Sequence, residues 1–205
     1  MSHPRIVGIG TANPLVRLTQ EQSFHVARYK GERIRKIFLN RDIDHRHFYL
    51  EGTLNRGESS DQLNQRYLRG AMQTGCRAIY NCLKSSGASV QDVDFLAVCT
   101  CTGYVCPDIG SRLIAHMGFS NNLQRASIVG LGCAGALPTM QRAVDFVRAT
   151  AGRLGSDDRA RTGNGCGGCT TEMVARRLAP RRVRQILRLD RAYADLLLGV
   201  LVEPS

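Results

Sequence analysis

Ser127-Ile-Val-Gly-Leu-Gly-Cys133-Ala-Gly-Ala-Leu-Pro138 is the stretch that decides the fold, because it predicts a strand, a tight turn and a helix start in direct succession. Its first residues are mostly apolar and β-branched, as in a buried strand, and the glycines that follow permit a sharp turn. Cys133 comes where the helix begins. Helix-terminal N–H groups and the helix dipole favour a thiolate at that position. The stretch predicts a nucleophilic cysteine, with a small buried structural residue as the alternative.

Apolar runs and helical stripes alternate on both sides of this stretch. The runs over 5–10, 94–101 and 125–129 predict buried strands. Helices are predicted over about 19–30, 59–87, 109–117 and 134–150, and the first two begin with the capping-box pattern, at Thr19 and Ser59. This alternation predicts an α/β layered sheet. Beyond residue 152 the sequence is rich in Arg and Gly, is helix-compatible over 171–201, and predicts no strand that extends the sheet.

The composition is that of a folded chain with an anionic partner. The 205 residues are 43% hydrophobic and 22% charged, which excludes disordered and collagen-like classes. A formal charge of +11 predicts binding to phosphates, acidic cofactors or nucleic acid. No apolar run reaches the roughly 18 residues of a membrane helix, and the N-terminus lacks a signal-peptide pattern. We therefore expect a cytoplasmic protein with no membrane partner and reduced cysteines.

Four segments carry a resemblance to a known family: RIVGIGTANP at 5–14, IDHRHFYLE at 43–51, VCTCTGYVCPD at 98–108 and VGLGCAGALPTMQRAVDF at 129–146. Together they resemble the N-terminal half of type III polyketide synthases, the chalcone and stilbene synthase family, and most closely the bacterial members. The resemblance implies that residues 1–152 form a chalcone synthase-like domain, the N-terminal half of a thiolase-like α/β/α layered fold. Residues 153–205 are then an atypical Arg-rich tail, for which we consider an off-frame reading or a remnant.

The resemblance also implies an activity, that of an acyltransferase. An acyl starter moves from coenzyme A to the Cys133 thiolate, and malonyl-CoA loses carbon dioxide and attacks the resulting thioester. Acyl-CoA and malonyl-CoA are substrates in this reaction, and no cofactor or metal is implied. In the family the enzyme is a homodimer.

The resemblance places coenzyme A phosphates on a basic segment. The family positions that meet these phosphates match Arg33 and Lys36, whereas a third position that carries Lys in the family is Asn40 in this chain. Arg35 or Arg41 could replace that third cation. The alternative is that this segment is only the solvated face of a helix.

Two cysteines in the 98–108 segment match positions that line the substrate pocket in the family. Cys101 stands where the family has a cavity-lining Thr, and Cys106 where plant enzymes have a Met that crosses the dimer interface. The plant starter preference is therefore not transferred, and a structural thiol is the alternative for Cys101. Cys99 and Cys101 alternate along a strand, so they face opposite sides and do not chelate one metal.

The family's catalytic His and Asn come from its C-terminal half, and no His follows Cys133 in this sequence. We therefore expect the chain alone to be acylated at most, without extending a polyketide. Alternatives are a condensing enzyme like ketoacyl-carrier-protein synthase III, a non-catalytic dimerisation module, or a basic nucleic-acid-binding protein. No nucleic-acid-binding motif supports the last of these. The lone Cys166-Gly-Gly-Cys169 lacks the second ligand pair of a zinc site.

Overall fold

The computed structural model describes residues 4–28, 30–39, 44–51, 58–153, 173–175, 185–189 and 197–204. The strands are β1 Pro4–Ala12, β2 Val16–Thr19, β3 His45–Phe48, β4 Phe95–Thr100, β5 Gln124–Val129, β6 Met173–Ala175, β7 Gln185–Leu189 and β8 Leu197–Pro204. The helices are α1 Gln20–Val26, α2 Glu32–Leu39, α3 Ser60–Ser86, α4 Ile109–Met117 and α5 Ala136–Arg153. The fold is mixed α/β, as the sequence predicts.

Strand β4 is the centre of the largest sheet. All six of its residues are buried, which confirms the prediction of a strand covered on both faces. It pairs in parallel with β5 on one side and with β7 on the other, and β6 joins β7 in antiparallel, so the order is β5-β4-β7-β6. Parallel neighbours leave a sheet at the same edge, so the connections after β4 and β5 start side by side.

The expectation that no strand follows residue 152 is wrong. The backbone of β7 adds to the sheet beside β4, and β8 pairs antiparallel with β1 from Pro4↔Pro204 to Ala12↔Leu197. The run at 185–189 is interrupted by Arg188, whereas the run at 197–202 is as apolar as that of β4 and is a strand signal that the helix-compatible interpretation of 171–201 passed over. Their pairing partners lie far away in the sequence. The Cys166–Cys169 pair lies outside the described residues.

Helix α3 covers β1 at very short range. Its predicted ends are confirmed: Ser59 forms the capping box with Gln62, and Gly87 ends the helix in the left-handed conformation. A Cβ added to Gly10 of β1 would lie 2.1 Å from the Cys82 backbone nitrogen and 2.4 Å from the Ala78 carbonyl oxygen. Only a glycine allows the strand and the helix to approach so closely.

The helix predicted over 19–30 is shorter than expected, and a separate helix, α2, follows it at Glu32–Leu39. The capping box at Thr19 is confirmed, but α1 ends at Val26. Arg28 adopts a φ of 54° and Gly31 a φ of 105°, which turns the chain before α2. A salt bridge of 2.5 Å from Arg35 to Glu21 holds α2 against α1. Among the helices of the described residues, none is long and apolar enough to cross a membrane.

Cys82 is buried between α3 and β1, so its thiol should react with alkylating reagents far more slowly than an exposed thiol. Burial raises the pKa of Cys82 to about 12, so its reactive thiolate is scarce until strongly alkaline pH. At about pH 8, near the ordinary thiol range, we expect iodoacetamide to label exposed Cys106 and leave Cys82 unmodified in the folded protein. Peptide mass spectrometry measures both sites, with a urea-unfolded sample as control. Equal labelling rates of Cys82 and Cys106 in the folded protein would contradict the described packing.

Candidate functional site

Two connections meet at the edge of the sheet where β4 and β5 end. The last register pair of these strands is Thr100 with Val129, so the loop over 101–108 and the turn over 130–135 start next to each other. A Cβ added to Gly130 would lie 3.8 Å from the Tyr104 hydroxyl oxygen. The loop and the turn are therefore in direct proximity, and residues on both can act at one site.

The turn after β5 presents Cys133 to the outside. Gly130 and Gly132 have φ values of 77° and 53°, in the left-handed region that glycine adopts without strain. Cys133 lies in the short 3₁₀ turn Gly132–Gly135 that continues directly into α5. The predicted succession of strand, turn and helix is confirmed, with the cysteine in the turn rather than in the α-helix itself. Cys133 is exposed, so it is not the small buried residue of the alternative interpretation.

Gly135 fastens this turn to the sheet. It is buried, and a Cβ at this position would lie 2.1 Å from the Cys99 sulfur of β4. Its carbonyl oxygen accepts a 2.6 Å hydrogen bond from the buried Thr139 hydroxyl, one turn along the chain. Ala143 and Val147 continue the same buried stripe of α5. The Cys99 side chain therefore packs directly against the turn that carries Cys133.

The far end of the 101–108 loop is tied to β5 by a buried carboxylate. Asp108 caps α4, since it accepts a 2.9 Å hydrogen bond from the Ser111 backbone nitrogen. It also accepts a hydrogen bond of 2.8 Å from Arg125 and one of 3.0 Å from the Ser127 hydroxyl, both on β5. The residue before a helix signals such a cap, but sequence reasoning missed the contacts with β5.

The predicted pocket cysteines are brought to the same edge as Cys133. Cys101 directly follows β4 and is half-buried, and Cys106 lies further along the loop and is exposed, whereas Cys99 is buried within the strand. The structure shows no disulfide bond among these described cysteines. In the part of the chain that the structure describes, no group of three or more His, Cys, Asp or Glu could hold a metal ion.

The predicted phosphate ligands lie elsewhere. Arg33 and Lys36 are three residues apart on α2, on one helix face, and both are exposed. Helix α2 packs on α1, and within the described ranges it makes no extensive contact with β4, β5 or α5. The bridge to Glu21 raises the pKa of Arg35 and occupies its guanidinium, which weakens its case as a third phosphate ligand. Asn40 and Arg41 lie outside the described residues.

An α/β sheet with an exposed cysteine in the turn before a long helix is the arrangement that the thiolase-like prediction requires. The chain is 32% identical over 155 residues to the 3,5-dihydroxyphenylacetyl-CoA synthase of Amycolatopsis orientalis, a match that covers 74% of this chain and 42% of that protein. No family model matches the chain. The chain belongs to the type III polyketide synthase family, and about 74% of it matches the N-terminal half of such enzymes.

Solved structures support the same fold. A type III pentaketide synthase from Neurospora crassa superimposes with a TM-score of 0.66 at 18% identity, covering 73% of this chain and 42% of that one. CsyB complexed with CoA-SH gives a TM-score of 0.67 at 20% identity, covering 73% and 43% of the two chains. The chain thus spans less than half the length of the relatives it matches.

The contact between Gly135 and Cys99 can be tested by comparing the stability of a single and a double variant. We expect Gly135→Ala to destabilise the protein by about 1–3 kcal/mol, because the new methyl group meets the Cys99 sulfur. In Gly135→Ala/Cys99→Ala the sulfur is gone and the nearest remaining atom of residue 99 is its Cβ, 3.7 Å away. Urea unfolding followed by circular dichroism should show that the double variant recovers part of the lost stability. Purely additive losses, with Cys99→Ala as the single control, would contradict the described contact.

Proposed function

We propose that this chain carries the nucleophile of a type III polyketide synthase, and that Cys133 takes an acyl group from a coenzyme A thioester. The single observation that carries the proposal is the exposed Cys133 in a glycine-bounded turn between β5 and α5. A nucleophile must reach its substrate, and glycines on both sides leave room for a thioester carbonyl to approach the sulfur.

In the proposed acyl transfer, one carbon–sulfur bond forms and another breaks. The Cys133 thiolate attacks the thioester carbon, a new carbon–sulfur bond forms, and the bond to the coenzyme A sulfur breaks with coenzyme A leaving as a thiolate. We propose that the oxyanion of the tetrahedral intermediate is stabilised by backbone N–H groups of the turn other than that of Ala134, which donates to the Leu131 carbonyl oxygen. The thiolate form is required because the neutral thiol is a poor nucleophile.

Condensation is the second proposed step. Malonyl-CoA loses carbon dioxide, and the enolate carbon attacks the Cys133 thioester, so that a carbon–carbon bond forms and the Cys133 thiolate is released. This step needs a donor for the enolate oxygen. The resemblance assigns that role to a His and an Asn of the C-terminal half, outside the part of the relatives that this chain matches. We propose that the residues of this chain support acylation and that condensation depends on that other half.

We further propose that Arg33 and Lys36 bind the phosphates of coenzyme A. Both are exposed, lie on one face of α2 and are paired with no carboxylate of the described residues. Coenzyme A carries its phosphates at one end and its thiol at the other, so the phosphate ligands need not touch Cys133. Exposed, unpaired cations are well suited to phosphate oxygens.

We propose a homodimer in which the loop that carries Cys106 contacts the second copy. Cys106 is exposed and its neighbour Tyr104 is 64% exposed. An aromatic side chain exposed to this degree beside the site is suited to an interface.

The first test is acylation of Cys133. Incubation of the full chain with acetyl-CoA or a longer acyl-CoA should add one acyl group, found on the Cys133 peptide by mass spectrometry and absent from Cys133→Ala. Cys106 is exposed as well and serves as the internal control for non-specific thioester exchange. Cys76→Ala, on α3 outside the site, should retain the label. Labelling of neither cysteine, or equal labelling of Cys106 and Cys133, would overturn the proposal. A label delivered only by an acyl carrier protein would favour the ketoacyl-carrier-protein synthase alternative.

The second test concerns the phosphate ligands. We expect Arg33→Ala/Lys36→Ala to weaken coenzyme A binding by about tenfold, since hydrogen bonds to charged groups are lost. Isothermal titration calorimetry measures the affinity, and the loss should shrink at high salt because salt screens the phosphates. Lys84→Ala removes an exposed cation at the end of α3 and should leave the affinity unchanged. An affinity like that of the wild type in the double variant would mean that this face of α2 is only solvated.

A further inference from the structure

Tyr67 of α3 lies against the loop that follows β4. A Cβ added to Gly103 would lie 2.4 Å from Cδ1 and 2.6 Å from Cε1 of the Tyr67 ring. The ring thus fills the space beside the loop backbone, and only a glycine at 103 leaves room for it. The closest approach of the loop to α3 is set by this contact.

The hydroxyl of Tyr67 reaches the end of β4. It shares a 2.6 Å hydrogen bond with the hydroxyl of Thr100, the last residue of the strand, which is buried. The Thr100 hydroxyl oxygen also accepts a longer hydrogen bond of 3.4 Å from the Thr102 backbone nitrogen. Tyr67 therefore makes one contact at each end of the first part of the loop. Its hydroxyl bonds Thr100, where β4 ends, and its ring packs against Gly103.

The loop held in this way contacts the turn that carries Cys133. Tyr104 directly follows Gly103, and its hydroxyl lies 3.8 Å from the position of a Cβ on Gly130. Cys101 stands between the two points that Tyr67 holds. A displacement of this short segment would move Cys101 and Tyr104 relative to Gly130 and the turn that carries Cys133.

We propose that Tyr67 is a positioning residue that sets the size of the acyl group accepted at Cys133. The inference rests on the proposed acylation of Cys133. Tyr67 also packs against the hydrophobic core, so a structural role must be separated from a role in the site. The ring serves the core and the contact with Gly103, whereas the hydroxyl serves only polar contacts, so Tyr67→Phe separates the two roles.

The first measurement is independent of acyl transfer. In Tyr67→Phe, and in Thr100→Val, which removes the other hydroxyl, we expect half-buried Cys101 to react with iodoacetamide about fivefold faster than in the wild type, the factor that corresponds to one lost hydrogen bond. Buried Cys82 should stay unlabelled, which reports an intact core. Thr100→Ser keeps the hydroxyl and should behave as the wild type. Tyr80→Phe, on the same helix at a tyrosine that is 60% exposed, is the matched control.

The second measurement is the ratio of the Cys133 acylation rates with octanoyl-CoA and acetyl-CoA. We expect Tyr67→Phe and Thr100→Val to raise this ratio by about fivefold, because a released loop admits the longer chain. The double variant should show no further rise over Thr100→Val, since the hydrogen bond between Tyr67 and Thr100 is already lost in that single variant. Tyr80→Phe should leave the ratio unchanged.

The results distinguish the proposed acylation of Cys133 from the proposed positioning role of Tyr67. Unchanged Cys101 labelling in Tyr67→Phe, or a parallel rise at Cys82, overturns the positioning role. Faster labelling of Cys101 with an unchanged acyl ratio also overturns the proposal, because Tyr67 then holds the loop without affecting specificity. If the wild type takes up no acyl group at all, the proposed function fails and the specificity role fails with it, while the labelling of Cys101 still reports whether Tyr67 holds the loop.

Discussion

The parallel pairing of β4 with β5, inside a sheet where β4 is buried throughout, is the constraint on which the site depends. In a strand that is covered on both faces, a one-residue slip would carry each side chain to the opposite face, where it would meet a different set of close-packed neighbours. Its register with β5 is thereby fixed, and Thr100 stays opposite Val129. The loop after one strand and the turn after the other must then start from the same edge, whatever their own sequences prefer.

Glycines allow the turn and the loop that follow these two strands to pack closely against their neighbours. At Gly135 the turn that carries Cys133 lies on the Cys99 sulfur, and at Gly103 the neighbouring loop lies on the Tyr67 ring. A larger residue at position 135 would push the turn away from β4, and a larger residue at position 103 would push the loop away from the Tyr67 ring. The left-handed conformation of Gly130 and Gly132 serves another purpose, because it redirects the chain so that the cysteine faces outward while α5 begins. The same residue type thus has two roles, one in packing and one in backbone direction.

The sequence predicts those parts of the fold that are encoded locally. The capping boxes at Thr19 and Ser59, the stop at Gly87 and the buried run of β4 are each recognisable within a few residues, and the structure confirms them. Strand β7 was missed because Arg188 interrupts its apolar run, and β8 was missed although its run is as apolar as that of β4. Which sheets they join is set by β4 and β1, which are remote in the sequence. The end of α1 at Val26, before the predicted end near residue 30, was missed for another reason, since an arginine with positive φ at position 28 carries no sequence signal.

The same limit applies to the site. The position of Cys133 follows from its neighbours, but the contacts that position the adjoining loop join residues 17 apart, for Arg125 and Asp108, and 33 apart, for Tyr67 and Thr100. One sequence gives no indication of which polar side chains will meet across such distances. A tyrosine within a helical stripe is predicted as a core residue, and in part it is one. Its second role becomes visible only once the loop is placed.

The distribution of charge also bears on the choice among anionic partners. On β5, the cation of Arg125 is paired with the buried carboxylate of Asp108. Arg33 and Lys36, which form no ion pair with a carboxylate of the described residues, lie on α2, which packs on α1 instead of on the strands of the site. A polynucleotide is charged along its whole length and is bound best by a continuous basic surface. Under the proposed function, coenzyme A would place its phosphates at Arg33 and Lys36 and its thioester at Cys133, on separate elements, and such a ligand does not require a continuous basic surface.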